Sequence, residues 1–242
     1  RVKRDILSNS YIGLMALNSQ PGGDDWSRTL GTDAYLAFTD EFNAKGSIAR
    51  TFEEDDPGHD LAGDVRVSLV KDWMNVSVSH TSIDSLFNPS MGYVRRGSIR
   101  KTDGSLGFTK WINNRYVRSV SLQNDIVYTT DRGDVLETRE TESDLSVTSA
   151  SGESVSFEVG RTYDFLPEED YIRDIRIDPG RYTATRMGVS FDWGEELDGH
   201  SRRLTLSNRT NFSRHLNMDL SYVHNRLELG NDLCAVQIDP VG

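Results

Sequence analysis

Apolar and polar residues alternate with a period of two along most of the chain. In segment 61–70, the apolar side chains stand at positions 61, 65, 67 and 69, and the polar ones at 64, 66 and 68. The same alternation recurs in Ser27–Thr39, Val155–Val159 and Met187–Trp193. This period is typical of β-strands that have one apolar and one polar face. No useful window shows the 3.6-residue period of an amphipathic helix, so the pattern predicts an all-β protein.

About eleven or twelve strands are predicted, separated by turn sequences. Lys71-Asp72 lies between two alternating runs and predicts an antiparallel hairpin. Further turns are predicted at Thr102-Asp103-Gly104, Asp131-Arg132-Gly133-Asp134 and Asp178-Pro179-Gly180. After Tyr222 the apolar positions change register, which predicts a bulge or a strand end.

Two architectures fit this pattern. In a soluble sandwich the apolar faces of two sheets meet in a dry core, whereas in a membrane barrel they face lipid and the polar faces line a wet interior. The predicted strands have roughly 9–13 residues, whereas strands of soluble sheets have about 5–6. A tilted membrane strand needs about 9–11 residues. We therefore expect an antiparallel up-and-down meander forming part of an outer-membrane-type β-barrel, with the sandwich as the alternative.

Composition narrows the functional classes. The 242 residues contain 27 Lys and Arg against 38 Asp and Glu, a formal charge of −11, which disfavours nucleic acid as a partner. A hydrophobic share of 36% is low for a conventional core but fits a sheet with one apolar face. The single cysteine, Cys234, excludes an intramolecular disulfide and a multi-cysteine zinc site. Because no linker rich in proline or serine divides the chain, residues 1–242 are predicted to form a single domain.

The most distinctive local feature is the sequence Phe87-Asn88-Pro89 running into Met91-Gly92-Tyr93. As a functional site, it would place Arg95, Arg96 and Arg100 as a basic ladder in the barrel interior, where they could bind a ligand. The simpler interpretation is a turn that leads into a strand whose arginines balance acidic neighbours, because charged interior faces need partners.

Other candidate chemistry is weaker. The acidic segment Glu53–Asp60 could hold calcium, but it lacks EF-hand spacing and is interpreted as a solvated loop. The five histidines have no metal-site spacing, and Ser105 lies outside a nucleophile-elbow pattern. We therefore expect no metal, no cofactor and no catalytic residue, although a pair of distant glycosidase carboxylates stays open. The tryptophans and tyrosines near strand ends suit an interfacial girdle, or alternatively sugar stacking.

Four segments, in this order, resemble the bacterial domain-of-unknown-function family 5916. They are Arg1-Val2-Lys3-Arg4-Asp5-Ile6-Leu7 with Ser10-Tyr11-Ile12-Gly13, then Phe87–Arg96, then Ile177–Tyr182, and finally Leu220–Leu227. Members of that family typically carry an N-terminal module similar to family-9 carbohydrate-binding modules. The resemblance therefore implies an exported protein with an outer-membrane-like barrel in its C-terminal part.

Several expectations follow from this resemblance. The chain would be an internal fragment of a longer protein, located in the bacterial outer membrane, with the lipid bilayer and a saccharide as partners. Its role would be docking or passage of the saccharide, or anchoring of the attached module, without enzymatic activity. A soluble glycan-binding sandwich and a carboxylate-based glycoside hydrolase are the alternatives.

Overall fold

Every regular element in the described part of the chain is a β-strand. The computed structural model describes residues 1–22, 25–53, 60–89, 92, 94, 96–172, 175–193, 200–211 and 216–226. The strands are β1 (Val2–Ile6), β2 (Ser10–Gly22), β3 (Asp25–Ala37), β4 (Phe42–Glu53), β5 (Leu61–Lys71), β6 (Met74–Ile83), β7 (Ile99–Trp111), β8 (Val117–Asp131), β9 (Leu136–Ser149), β10 (Ser154–Leu166), β11 (Asp170–Ile172), β12 (Ile175–Ile177), β13 (Gly180–Trp193), β14 (His200–Asn211) and β15 (Leu216–Arg226).

The strands other than β11 and β12 form one antiparallel sheet in chain order. β11 and β12 pair only with each other, inside the connection from β10 to β13. Among the described residues, β1 and β15 each have a single neighbour, so the sheet is not closed. The predicted all-β, up-and-down antiparallel meander of long strands is confirmed, and an open sheet of this kind is consistent with part of a barrel.

The chain divides into two compact units. The first unit contains Arg1–Lys71, Asn75–Ser105 and Val127–Arg139. The second contains Asp72–Met74, Leu106–Ile126 and Glu140–Gly242. The single domain expected for residues 1–242 stays a prediction.

The two longest connections of the first unit lie at the same end of its strands. The connections after β4 and β6, residues 54–60 and 84–98, are long and follow strands that run in the same direction, whereas the connection after β2 at the same end comprises only residues 23 and 24. The connections after β1, β3 and β5 are short. We call the two ends of these strands the long-connection end and the short-connection end.

Side-chain oxygens accept hydrogen bonds from backbone N–H groups where the chain turns. The Asn114 Oδ1 accepts from the backbone N–H groups of Tyr116 and Val117, at 2.8 and 2.7 Å, between β7 and β8. The Asp131 Oδ1 accepts from the Val135 N–H at 2.8 Å between β8 and β9, where a turn is predicted. Asparagine and aspartate favour turns because their side chains replace backbone acceptors in this way.

The turn predicted at Thr102-Asp103-Gly104 is wrong, and no bulge follows Tyr222. Thr102-Asp103-Gly104 lies inside β7, where Thr102 contacts the His80 Nδ1 at 2.9 Å and Asp103 accepts a hydrogen bond from Ser79 at 3.2 Å. These cross-strand partners satisfy side chains that otherwise favour turns. Pairing between β14 and β15 also continues past Tyr222 without a break, from Thr210↔Leu216 to His200↔Arg226. The change of apolar register there is therefore not a bulge in the backbone.

Candidate functional site

One face of the first unit is apolar. Residues that are paired across β1 to β5 point to the same side of the sheet, because neighbouring antiparallel strands have their pleats in register. One such row runs Val2↔Leu14↔Thr32↔Ile48↔Gly63. Its aliphatic members are exposed, with Leu14 at 62% and Ile48 at 46%. We call this side the apolar face.

The other side, the polar face, carries charged and hydroxyl groups. Gly13, Asp33, Ser47 and Asp64 form one row, in which the Ser47 hydroxyl donates to Asp64. Arg1 contacts the same Asp33 carboxylate, with 2.6 Å between Nη2 and Oδ2. The acidic row therefore has both a cationic and a hydroxyl partner.

A second row on the polar face combines aromatic and cationic side chains. Tyr11, Tyr35, Lys45 and Arg66 are paired across β2 to β5. The two tyrosine rings stack with 6.1 Å between centroids and an interplanar angle of 24°. The Lys3 Nζ lies 4.0 Å from the centroid of the Tyr11 ring. Such a row presents both ring faces and hydrogen-bond donors.

Burial is inverted relative to a soluble protein. The paired threonines Thr29 and Thr51 on the polar face are only 2% and 1% exposed. In the part of the chain whose burial is described, the only buried hydrophobic side chain is Ile99, at 8%. The Thr29 Oγ1 is buried and has no hydrogen-bond partner among the described residues, as expected where water supplies the partner.

The second unit repeats the division into two faces. Phe157 on β10 is paired with Val189 on β13, and both Phe157 and the neighbouring Met187 are exposed. On the opposite side Arg186 contacts Glu158 across the same two strands. A cavity of about 350 Å³ lies on this side, and its charged lining residues are Glu140, Glu142, Glu158, Arg161 and Arg186.

The three arginines of the predicted basic ladder are not brought together. Arg95 lies outside the described residues. Arg96 pairs with Glu137, with 2.7 Å between Nη2 and Oε2, and Arg100 pairs with Asp134. Arg100 also alternates with Thr102, which contacts His80 on the same side of the sheet as the exposed Val78. Arg100 is therefore on the apolar face, near the long-connection end, and a ligand-binding role for the ladder stays a prediction.

The sequence does not predict two buried carboxylates at the long-connection end. Asp60 is buried, and both of its oxygens lie 3.1 Å from the Arg50 Nε. Asp84 is also buried and pairs with Arg132, which in addition donates to the Ser82 hydroxyl at 2.7 Å. Asp60 ends the acidic segment that the sequence predicts to be a solvated loop. For Asp60 this prediction is wrong, because the residue is buried against Arg50, and residues 54–59 lie outside the described part. Nothing in the sequence spacing marks these pairs, because they join residues on different strands.

No cluster of histidine, cysteine and carboxylate groups suited to a metal ion occurs among the residues that the structure describes. Likewise, the described segments contain no helix that is long and apolar enough to cross a membrane.

Exposed aromatic side chains lie close to the connections. Trp73 and Phe108 stack with 6.4 Å between ring centroids, and Trp111 donates to the Asp72 carbonyl at 3.4 Å, all within the second unit. In the first unit Phe38 and Phe42 stack across the short β3–β4 connection at 5.1 Å. All of these rings are exposed. The girdle role predicted for the tryptophans and tyrosines stays a prediction.

The β9–β10 turn contains the clearest perturbed carboxyl group among the connections. Hydrogen bonds from the hydroxyl groups of Ser149 and Ser151 hold the pKa of Glu153 below its usual value. The neighbouring Gly152 has a φ of 108°, a conformation that favours glycine. The serine hydroxyl groups and Gly152 together therefore favour this tight turn.

Comparisons with protein-family models, curated proteins and solved structures found no match to this chain.

Proposed function

We propose that this chain is the membrane-spanning barrel region of an exported bacterial outer-membrane protein, with the polar face toward a water-filled interior. The observation that carries the proposal is the inverted burial, in which Leu14 and Ile48 are exposed while Thr29 and Thr51 are buried. A soluble protein rarely exposes a continuous apolar surface of this kind. Lipid would cover the apolar face, and strands of this length suit a tilted crossing of the bilayer.

The sandwich alternative fits less well. It requires apolar faces of two sheets to meet in a dry core. The long described strands instead form one sheet, and its aliphatic side chains are largely exposed. The hydrolase alternative gains no support from a catalytic motif.

Neighbouring positions on β5 provide a direct test. Val67 is exposed on the apolar face, whereas Ser68, paired with Asn43, belongs to the polar face. Val67→Cys and Ser68→Cys, each in a Cys234→Ser background, can be labelled with a small fluorophore and reconstituted into vesicles. We expect nitroxide-labelled lipid to quench the label at position 67, and an aqueous quencher to reach position 68. A chain that stays in the aqueous fraction, or equal aqueous quenching at both positions, would refute the membrane assignment.

We further propose that the polar face binds a saccharide during passage or docking. The row containing Tyr11, Tyr35, Lys45 and Arg66 supports this role, because stacked rings and cationic donors suit a ligand rich in hydroxyl groups. Tyr35→Ala should weaken retention of oligosaccharides by the reconstituted chain. Tyr128→Ala removes an exposed tyrosine of β8 and serves as the matched control. Equal retention by both variants would argue against the saccharide role.

A further inference from the structure

Arginines border the apolar face at the long-connection end of the first unit. Arg50 is paired with Leu30 on one side and Leu61 on the other, and both leucines are exposed. One row further toward the long-connection end, Arg28 is paired with Phe52. The apolar face therefore changes from aliphatic to cationic within two residues along β3 and β4.

Two more arginines continue this border on later strands. Leu61 and Asp84 are joined by hydrogen bonds, so Ser82, which alternates with Asp84, lies on the apolar side of β6. Arg132 donates to the Ser82 hydroxyl. Arg100 lies on the same side of β7, as its alternation with Thr102 shows. We call Arg28, Arg50, Arg100 and Arg132 the arginine rim.

The guanidinium groups of the rim stay partly accessible although three of its four members have acidic partners. The side chains of Arg50, Arg100 and Arg132 are 45%, 38% and 37% exposed. The carboxylates of Asp60 and Asp84 are buried, whereas Asp134 is exposed. Arg28 bonds to the neutral Asn18 Oδ1 at 3.1 Å, and its guanidinium lies 4.7 Å from the centroid of the Trp26 ring. The buried Asp60 and Asp84 thus position the guanidinium groups of Arg50 and Arg132, whose side chains remain partly exposed.

We infer that the arginine rim binds the phosphate headgroups of anionic lipid in the leaflet at the long-connection end. This inference rests on the proposed membrane function. Guanidinium groups match phosphate oxygens in charge and in their planar, paired donors. A lipid covering Leu30 and Leu61 has its headgroup near Arg50 and Arg28, where hydrocarbon gives way to phosphate. Basic residues near a membrane surface strengthen the binding of a protein to anionic lipid through the same attraction.

The connection between β7 and β8, which belongs to the second unit, supplies a matched control. The Arg115 guanidinium lies 4.6 Å from the centroid of the Tyr116 ring, much as Arg28 lies over Trp26. Arg115 belongs to the connection between β7 and β8, and Lys110 precedes it near the end of β7. Replacing Arg115 and Lys110 therefore removes the same charge as replacing Arg28 and Arg100. Neither replacement leaves a buried carboxylate without its partner, since Asp134 is exposed.

The test compares insertion of the whole chain into neutral phosphatidylcholine vesicles and into vesicles that also contain phosphatidylglycerol or lipid A. The original chain should prefer the anionic vesicles, and the preference should fall as salt rises. In the double variant Arg28→Gln/Arg100→Gln, this preference should fall about fivefold for each arginine removed. Lys110→Gln/Arg115→Gln should keep it. All three proteins should insert equally into neutral vesicles.

The outcomes separate the two proposals. Failure of the original chain to insert into any vesicle would overturn the membrane function and the rim together. Normal insertion without an anionic preference, or an equal preference in both double variants, would overturn the rim alone. If inorganic phosphate abolishes the preference while chloride of equal ionic strength does not, the rim is a site for free phosphate, which also overturns the lipid assignment.

Discussion

Two hydrogen bonds join Leu61 and Asp84. The Asp84 N–H donates to the Leu61 carbonyl at 2.9 Å, and the Leu61 N–H donates to the Asp84 Oδ2 at 3.2 Å. The other oxygen of Asp84 pairs with Arg132. A single buried carboxylate therefore joins the start of β5, the end of β6 and the turn that follows β8.

Removing this carboxylate charge should destabilise the fold. Asp84→Asn leaves Arg132 without its counter-ion and weakens the hydrogen bond from Leu61. We expect a loss of about 2 kcal/mol, below the usual cost of breaking a buried pair, because the Arg132 side chain keeps contact with solvent. Urea unfolding in detergent micelles would measure the change. Asp134→Asn, at the exposed partner of Arg100, should cost less than about 1 kcal/mol, and equal losses would contradict the special role of Asp84.

Neighbouring residues on β4 should respond in opposite ways to a new charge. Ile48→Arg places a cation on the exposed apolar face and should cost about 2–4 kcal/mol if that position lies near the bilayer midplane. Ser47→Arg places the same cation between Asp33 and Asp64 on the polar face and should be tolerated. The folded fraction in vesicles, read from the heat-dependent gel mobility, would check this. A greater loss for Ser47→Arg would mean that the two faces are assigned the wrong way round.

Close backbone contact should make Gly46 hard to replace. An added Cβ there would lie 2.9 Å from the Asp64 carbonyl oxygen, and this backbone atom cannot move aside without shifting β5. We expect Gly46→Ala to lower stability by about 1–3 kcal/mol. Gly160→Ala is the control, because its Cβ would lie no closer than 3.8 Å to the nearest atoms. Comparable urea midpoints for the two variants would show that the contact at Gly46 is easily relieved.

The β9–β10 turn should loosen only in acid. Glu153 has a lowered pKa in the folded chain, first because Ser149 and then because Ser151 donates to its carboxylate. A carboxyl with a lowered folded pKa stabilises the fold above its unfolded pKa, and this contribution is lost as the pH falls through the folded value. Ser149→Ala/Ser151→Ala should therefore raise the pKa of Glu153 toward its usual value, which a carboxyl NMR titration would measure. An unchanged titration would exclude the two hydroxyl groups as the cause.

The period-two alternation of apolar and polar residues predicted the strands well. It could not predict which side chains on other strands pair with each other. The alternation in 61–70 predicted β5, which spans Leu61–Lys71, because burial and exposure repeat with the pleat. Thr102-Asp103-Gly104 was misassigned, since the partners that keep it in β7, Ser79 and His80, belong to another strand. The burial of Asp60 and Asp84 depends likewise on Arg50 and Arg132.

The distance between Phe42 and Arg50 has a further consequence. Along β4 the apolar face begins at the Phe42–Leu69 pair and ends where Arg50 joins Leu30 and Leu61. Eight residues of strand span about 26 Å, at roughly 3.3 Å per residue. Within the proposed membrane setting, this length and the tilt of the strands together determine the hydrocarbon thickness that the sheet spans without mismatch. A thicker bilayer would draw Arg50 and its buried partner Asp60 toward hydrocarbon, so membranes of different thickness would sort this protein by the length of its own strands.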